Sequence, residues 1–195
     1  MTKRLIVAVT GASAPHYART LLTTLHERDD VETHLVVSRA SRRTVQLELG
    51  MSIAEFSALA DVVHHPDDIA ASISSGSFAT AGMVVLPCSM RTLGAIAAGI
   101  GDDLITRAAD VTLKERRRLV LAVRETPLSL IHVRNMTTVT EAGAIVMPPV
   151  PAFYTQPTSV EDIVDQFVGR VLDMFGIESD LARPWTGPDG MGGES

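Results

Sequence analysis

The chain has 195 residues, 46% of them hydrophobic and only 4% aromatic, with a formal net charge of −6 and a single cysteine, Cys88. That length suits one sizeable domain, and the scattered negative charge argues against a nucleic-acid partner, which needs a basic face. Because no stretch approaches the roughly 18 to 20 apolar residues of a membrane span and one cysteine forms no internal disulfide, we predict a cytoplasmic protein without a membrane segment.

Short apolar runs alternate with helical patterns along the chain. The runs predict six strands, at residues 3–10, 33–38, 60–65, 82–89, 117–124 and 142–149. The patterns between and after them predict helices at about 15–28, 41–49, 92–98, 103–115, 129–141 and 159–175. This alternation predicts an α/β fold with a single doubly wound parallel sheet, Rossmann-like or flavodoxin-like, and helices on both faces. We expect one domain over residues 1–185 and a flexible, Gly-rich C-terminal tail over residues 186–195.

The first predicted strand ends on small residues, Gly11, Ala12 and Ser13, shortly before Pro15. Glycine lets a backbone approach a ligand closely, and Ser13 can cap the following helix or offer its hydroxyl to a ligand. Pro15 suits a first helical turn, where free N–H groups favour an anion. The later glycines of the dinucleotide fingerprint are missing, so a mononucleotide such as FMN fits better. A turn without a ligand explains the same residues about as often.

Two further predicted strands also end on polar residues. The run "PCSMRT" (87–92) stands between a buried strand and a helix, where it either caps the helix or binds a ligand. Two such loops near the centre of one sheet favour a phosphate-bearing or flavin ligand. Arg124 and Glu125 follow another buried strand directly, where charges must be paired or used. A carboxylate held by arginine moves protons in some sites, and a purely structural ion pair is an equal alternative.

Other conspicuous residues have plainer interpretations. The charged pattern of 107–117 predicts a solvated helix with an Asp110–Lys114 pair. The run "HHPDD" (64–68) predicts a surface loop rather than a metal site, because its ligands are too close together for a regular cage. Cys88 is interpreted as a buried packing residue, and His132 as a structural residue on a helix.

Taken together, several segments resemble the UbiX/Pad-type flavin prenyltransferase family over residues 3–185. They are "VTGAS", "VVSRA", "SGSFATAGMVVLPCSMRTL", "LITRAADVTLKERRRLVLAVRETPLSLIHVRNM", "GAIVMPPVPAFYTQP" and "VGRVLDMFGI". The resemblance implies an FMN-binding domain that joins the dimethylallyl group of dimethylallyl monophosphate to N5 and C6 of reduced FMN, without a metal. It further implies that the prenylated FMN serves a UbiD-type decarboxylase, in ubiquinone biosynthesis or aromatic acid decarboxylation. It also implies a homo-oligomer, typically a dodecamer.

The resemblance also implies roles for particular residues. Those expected to bind FMN are Gly11, Ala12, Ser13, Ser38, Ser89, Met90, Arg91, Thr92, Arg107 and Arg124, with Ser13 near flavin N5 and Ser38 near the phosphate. Those expected to hold the prenyl donor are Lys114, Arg124, Tyr154, Arg170 and the closing aromatic Trp185. A neighbouring subunit is expected to supply Tyr154 and Arg170 and, in one arrangement, Lys114. The expected catalytic residues are Ser13, Glu48, Lys114 and Glu125, with Glu125 relaying protons.

Two departures from the family pattern and two other functions belong beside this assignment. Ala14 and Pro15 replace the usual Gly-Ala, and we expect Pro15 to confine Ala14 to extended backbone. Asp103 replaces an asparagine, which removes a hydrogen-bond donor and adds charge. The alternative functions are an FMN-dependent cysteine decarboxylase of the related fold, and a non-catalytic FMN carrier or accessory subunit of an aromatic acid decarboxylase. The cysteine decarboxylases carry Pro-Ala-Ser-Ala-Asn-Thr where residues 87–92 here read Pro-Cys-Ser-Met-Arg-Thr.

Overall fold

The computed structural model describes residues 2–26 and 28–187 and divides into two compact units, the first ending at Pro149 and the second beginning at Val150. The expected single domain over residues 1–185 stays a prediction. Most of the expected flexible tail, residues 188–195, lies outside the described residues.

The first unit is built on one parallel sheet. Its described strands are β1 (Lys3–Val9), β2 (Val31–Val37), β3 (Val62–His64), β4 (Gly82–Cys88), β5 (Arg118–Val123) and β6 (Ile145–Val146). Their order in the sheet is β3-β2-β1-β4-β5-β6, and every neighbouring pair is parallel. The chain therefore winds outward from β1 in one direction and from β4 in the other, which confirms the doubly wound α/β fold. Ligands of such sheets bind where the winding reverses, beyond the carboxyl ends of the strands.

Helices connect these strands and follow them along the chain. They are α1 (His16–His26), α2 (Ser41–Leu49), α3 (Ile53–Ser57), α4 (Met90–Ala97), α5 (Leu104–Lys114), α6 (Leu130–Glu141) and, in the second unit, α7 (Val160–Met174). The predicted bounds agree with these to within about two residues, except at the sixth strand and at α3, which was not predicted. That strand is two residues long instead of eight, and Pro148 and Pro149, which lack the N–H that a ladder needs, stand in its predicted end.

The core explains why the strands are so apolar. Every residue of β4 is buried, and so are Leu5–Val9 of β1, as expected for central strands covered on both faces. Side chains of β4 and β5 form an apolar cluster with α4 and α5, which includes Met83, Leu93 and Leu121. This packing makes the central strands a rigid base for the loops at their carboxyl ends.

The second unit contains a single turn of 3₁₀ helix, Phe153–Thr155, and α7. Ser159 caps α7 by accepting a hydrogen bond from the Asp162 N–H, while the Asp162 side chain accepts one from the Ser159 N–H. In the described residues of both units, no helix combines the length and the hydropathy that crossing a membrane demands.

Candidate functional site

A cleft of about 580 Å³ opens at the carboxyl edge of the sheet, where the winding reverses. Its walls come from the loops after β1, β2, β3, β4 and β5 and from the start of α5. The predicted site residues that line it are Gly11, Ser38, Ser89, Met90, Arg91, Thr92 and Glu125. Its size lies within the range of about 300–1,000 Å³ that is typical of small-molecule sites.

The loops after β1 and β2 touch each other in the floor of this cleft. A Cβ atom added to Gly11 would lie 2.7 Å from the Cβ of Ala40, so the position requires glycine for loop packing before any ligand is considered. Ala12 beside it is buried, and its N–H donates to the Thr10 carbonyl over 2.7 Å. The floor of the cleft is therefore a tightly packed turn.

Ser13 and Glu48, predicted separately to take part in catalysis, are hydrogen-bonded to each other. The Ser13 hydroxyl donates to Glu48 Oε2 over 3.1 Å, so its described bond is to α2, whereas we expected it to cap α1. The same oxygen accepts the Ala14 N–H over 2.8 Å. Glu48 thus holds the loop after β1 at two consecutive residues.

The expectation of extended backbone at Ala14 is wrong. Ala14 has a φ of 77°, a region that favours glycine, and the family pattern has glycine at this position. The hydrogen bond from its N–H to Glu48 is one contact that holds this conformation. The loop therefore keeps a glycine-like turn although the residue is alanine.

The loop after β2 is fastened to the end of β1. The Ser38 N–H and the Ser41 hydroxyl both donate to the Val9 carbonyl, over 2.9 and 2.8 Å. The Ser38 hydroxyl oxygen accepts the Ser41 N–H over 3.2 Å. Ser38 therefore lies at a fixed place in the cleft wall, and its role in binding the ligand stays a prediction.

The loop after β4 begins α4 directly at the cleft. Ser89 caps the helix, because its hydroxyl oxygen accepts the Thr92 N–H over 3.3 Å. The Ser89 N–H donates to the hydroxyl of Thr10, which is itself buried and donates to the Pro87 carbonyl over 2.8 Å. Since the first N–H groups of a helix have no carbonyl partner within it, this end of α4 attracts anions. Thr10 was missed from sequence, because it was counted as the last residue of the predicted first strand, whereas β1 ends at Val9.

Charged side chains of both signs face the cleft. Arg91 lies 3.2 Å from Asp103 and 3.6 Å from Asp102, and Arg39 pairs with Asp67. Asp103 also caps α5 by accepting the Thr106 N–H over 2.8 Å, so the residue that departs from the family pattern has a structural task. Arg39 and Asp67 were not predicted, although Arg39 directly follows Ser38 at a predicted strand end.

Arg124 and Glu125 do not form the ion pair that the sequence suggested. Both are exposed, and no ion pair joins them within the residues that the structure describes. The Arg124 N–H donates to the Cys88 carbonyl over 3.1 Å, and Glu125 accepts the Thr126 N–H over 3.0 Å. The expectation failed because both residues lie just past the buried end of β5, where water solvates them.

Lys114 and Arg107 lie on α5 and do not line the cleft. Because α5 begins at the cleft and extends about 15 Å over its 11 residues, Lys114 lies toward the opposite, amino edge of the sheet. Its ammonium group pairs with Glu115 over 2.5 Å and lowers the pKa of that carboxyl. Asp110 pairs with Arg107 over 2.8 Å, so the predicted Asp110–Lys114 pair is wrong.

The second unit brings two of its three predicted residues together. The rings of Tyr154 and Trp185 meet edge to face with centroids 5.5 Å apart. The buried Gln166 donates to the Tyr154 hydroxyl over 3.3 Å and accepts the Arg183 N–H over 2.8 Å. Arg170 is exposed on α7 and pairs with Asp173 over 2.7 Å.

Most of the residues that were predicted to have structural rather than catalytic roles lie where those roles require. Burial raises the pKa of Cys88 to about 12, which leaves an inert packing residue, and His132 accepts the Ser129 N–H in the cap of α6. The predicted surface loop 64–68 is wrong at its first residue, because His64 belongs to β3 and stacks on His34. Within residues 2–26 and 28–187, no cluster of three or more His, Cys, Asp or Glu side chains has the arrangement of a metal site.

Comparisons with known proteins agree on one group. The Flavoprotein family profile matches residues 1–172. Flavin prenyltransferase UbiX of Escherichia coli strain K12 is 57% identical over 187 residues, which are 95% of this chain and 99% of that protein. The crystal structure of AnUbiX (PadA1) in complex with FMN and dimethylallyl pyrophosphate matches with a TM-score of 0.93 and 52% identity, over 96% of this chain and 99% of that one. A dodecameric FMN-dependent UbiX-like decarboxylase from Escherichia coli O157:H7 matches with a TM-score of 0.92 and 52% identity, over 94% and 100%.

Proposed function

The chain belongs to the Flavoprotein family and, within it, to the UbiX-type flavin prenyltransferases, and from this membership we propose how its residues perform the reaction. The enzyme joins the dimethylallyl group of dimethylallyl monophosphate to N5 and C6 of reduced FMN. It works in the cytoplasm, and its prenylated FMN passes to a UbiD-type decarboxylase. The observation that carries the proposal is the cleft at the reversal of the sheet, into which strand-end loops bring hydroxyls, a helix start and two arginines.

The residues of the cleft fit FMN. The start of α4 and the hydroxyls of Ser38 and Ser89 suit phosphate groups, which accept hydrogen bonds and carry negative charge. The packed turn at Gly11 and Ala12 offers a flat surface of small residues on which a ring system can lie. Reduced FMN, when bound, supplies the nucleophilic atoms to which the five-carbon group is joined.

Ser13 and Glu48 act together beside flavin N5. Because the Ser13 hydroxyl donates its hydrogen bond to the Glu48 carboxylate, the lone pairs of its oxygen would be free to accept a hydrogen bond from the N5–H of reduced flavin. The second hydrogen bond of Glu48, from the Ala14 N–H, also holds the loop that carries Ser13. Ser13 thereby orients the reacting nitrogen, and Glu48 positions Ser13.

Arg124 and Glu125 act on the two charged products of the reaction, the departing phosphate and the proton released on ring closure. The guanidinium of Arg124, exposed past β5, stabilises the negative charge that grows on the departing phosphate. Closure of the new ring at C6 releases a proton, and the Glu125 carboxylate accepts it. Glu125 lines the cleft, and within the described part of the chain its Oε1 accepts the backbone N–H of Thr126, so the carboxylate remains available as a base.

A neighbouring subunit supplies the remaining grip on the donor phosphate, in a homo-oligomer that we propose to be a dodecamer. Tyr154 and Arg170 contribute a hydroxyl and a guanidinium, and Trp185, packed on Tyr154, closes over the prenyl group. Lys114 supports a shared site, because it lies about 15 Å along α5 from the cleft of its own chain. Arg107 pairs with Asp110 on the same helix and does not line the cleft. Its proposed contact with FMN therefore comes from a residue outside the cleft lining.

Anaerobic incubation with reduced FMN and dimethylallyl monophosphate tests the function. We expect mass spectrometry to show a flavin heavier by one C5H8 unit, and no such product with oxidised FMN or without the donor. Retention of unmodified FMN would instead identify a carrier or accessory subunit. Release of CO₂ from a cysteine-terminated peptide or from pantothenoylcysteine would identify a cysteine decarboxylase, and either result contradicts the proposal.

A further inference from the structure

We propose that Arg39 is the side chain that recognises the phosphate of FMN, and that Asp67 occupies Arg39 until the phosphate replaces it. The inference rests on the proposed function, because it assigns a residue to the flavin-binding cleft. It makes Arg39 the residue that distinguishes FMN from riboflavin, which has the same rings and ribityl chain but no phosphate.

The charged side chains of the cleft lining explain why a phosphate needs an arginine there. The lining carries four acidic side chains, Asp67, Asp102, Asp103 and Glu125, and two arginines, Arg39 and Arg91. The wall is therefore net negative, and a phosphate that carries close to two negative charges is repelled unless an arginine leaves its carboxylate. Arg39 and Arg91 are the two cations of the cleft lining that can offset this charge.

Arg91 is the more firmly held of the two. It lies near two carboxylates, and the nearer one, on Asp103, has only 21% of its side chain exposed. Asp103 also accepts the Thr106 N–H and hydroxyl as the cap of α5, so it cannot turn away without uncapping the helix. Arg91 therefore stays beside Asp102 and Asp103.

Whereas Arg91 lies beside two carboxylates, Arg39 pairs with one. Its side chain is 77% exposed and its partner Asp67 is 47% exposed, and such surface pairs contribute little stability, commonly about 0–1 kcal/mol. Asp67 keeps a second partner after release, because its carboxylate lies 3.6 Å from His65 Nδ1. A phosphate presents three acceptor oxygens and a larger charge, so it competes successfully with one exposed carboxylate.

The backbone places Arg39 where a phosphate would rest. It stands between Ser38, whose hydroxyl lines the cleft, and Ala40, which packs on Gly11. The loop around it is fastened to β1 by the bonds from Ser38 and Ser41 to Val9, so the Arg39 backbone is fixed while its side chain is not. A guanidinium on this loop reaches a phosphate that the Ser38 hydroxyl also binds.

Flavin binding by the full-length enzyme tests the proposal, with FMN and riboflavin as matched probes. We expect Arg39→Ala to weaken FMN binding about tenfold to a hundredfold, the usual value of a hydrogen bond to a charged group, and riboflavin binding less than about twofold. Asp67→Asn removes the competitor and should strengthen FMN binding a few-fold, with riboflavin unchanged. Arg43→Ala, an exposed arginine of α2 outside the cleft, is the control and should change neither.

Each outcome decides the matter. Equal losses of FMN and riboflavin with Arg39→Ala would mean that Arg39 only shapes the loop, and an unchanged FMN dissociation constant would place the phosphate elsewhere. Weaker or unchanged FMN binding with Asp67→Asn would overturn the role of Asp67. The proposed function fails separately, since an enzyme that makes no prenylated flavin can still show the FMN-specific loss.

Discussion

The two edges of the same parallel sheet use their charged side chains differently. At the amino edge, Arg117 donates to the carbonyls of Gly76 and Phe78 over 2.5 and 2.7 Å, and the Asp61 carboxylate accepts both the N–H and the hydroxyl of Thr33. At the carboxyl edge, Arg124 and Glu125 are exposed. Arg117 and Asp61 at the amino edge therefore fasten loops to the sheet, whereas Arg124 and Glu125 at the carboxyl edge remain available to a ligand.

Removing the proton acceptor at the carboxyl edge is the strongest test of this contrast. We expect Glu125→Gln to slow turnover about 10²- to 10⁴-fold, because the amide cannot accept the proton that ring closure releases. The FMN dissociation constant should change little, since the side chain keeps its shape. Glu141→Gln, at the exposed end of α6, is the control and should keep full turnover. Equal loss of flavin binding and turnover would show that Glu125 holds the loop rather than a proton.

Lys114 is an exception to this difference between the two edges, because it lies toward the amino edge but is assigned to the donor phosphate. We expect Lys114→Ala and Arg124→Ala each to lower activity about tenfold to a hundredfold through weaker phosphate binding. If the site is shared, oligomers re-formed from an equal mixture should regain activity in about a quarter of their sites, by random assortment. Assays of the mixture before and after subunit exchange provide the measurement. No recovery after confirmed exchange would place Lys114 and Arg124 in a single subunit's site or outside it.

Replacement of Arg117, at the amino edge, should affect stability and not flavin binding. Arg117→Ala leaves two carbonyls without their donor and should lower the free energy of unfolding by about 1–3 kcal/mol. FMN binding, measured at a temperature where the variant is folded, should be unchanged. Arg43→Ala is again the matched control, with an expected change within about 0.5 kcal/mol. A variant of normal stability with weakened flavin binding would contradict the division of labour between the edges.

Most of the fold was predictable because a strand that is buried on both faces needs apolar residues at nearly every position, which is easily recognised in the sequence. Each central strand is a continuous apolar run, so β1, β4 and β5 stand within one residue of their predicted bounds. The five-residue helix α3 was missed because it is too short to show a helical period, although its Ser52–Glu55 capping box was a readable signal. The sixth strand was predicted too long because its prolines were counted as apolar residues.

The site was predictable only as far as topology determines it. Parallel strands end at one edge, so Gly11, Ser38 and Ser89 were expected together and are found together. The contacts of Ser13 with Glu48 and of Arg39 with Asp67 join residues 35 and 28 positions apart, and no periodicity encodes such pairs. The ion pair that was one of the two alternatives for Arg124 and Glu125 is absent from the described residues, because both side chains are exposed just past β5 and water solvates their charges.

The sealed position of Cys88 has a consequence for how long this enzyme survives in air. Reduced flavins react with dioxygen and generate hydrogen peroxide, which oxidises thiolates to sulfenic acid and beyond. Cys88 stands at the end of β4, directly beneath the loop that carries Ser89, yet it is wholly inaccessible and almost none of it ionises at neutral pH. By-product peroxide therefore finds no reactive sulfhydryl beside the flavin, and aerobic loss of turnover should occur without oxidation of Cys88.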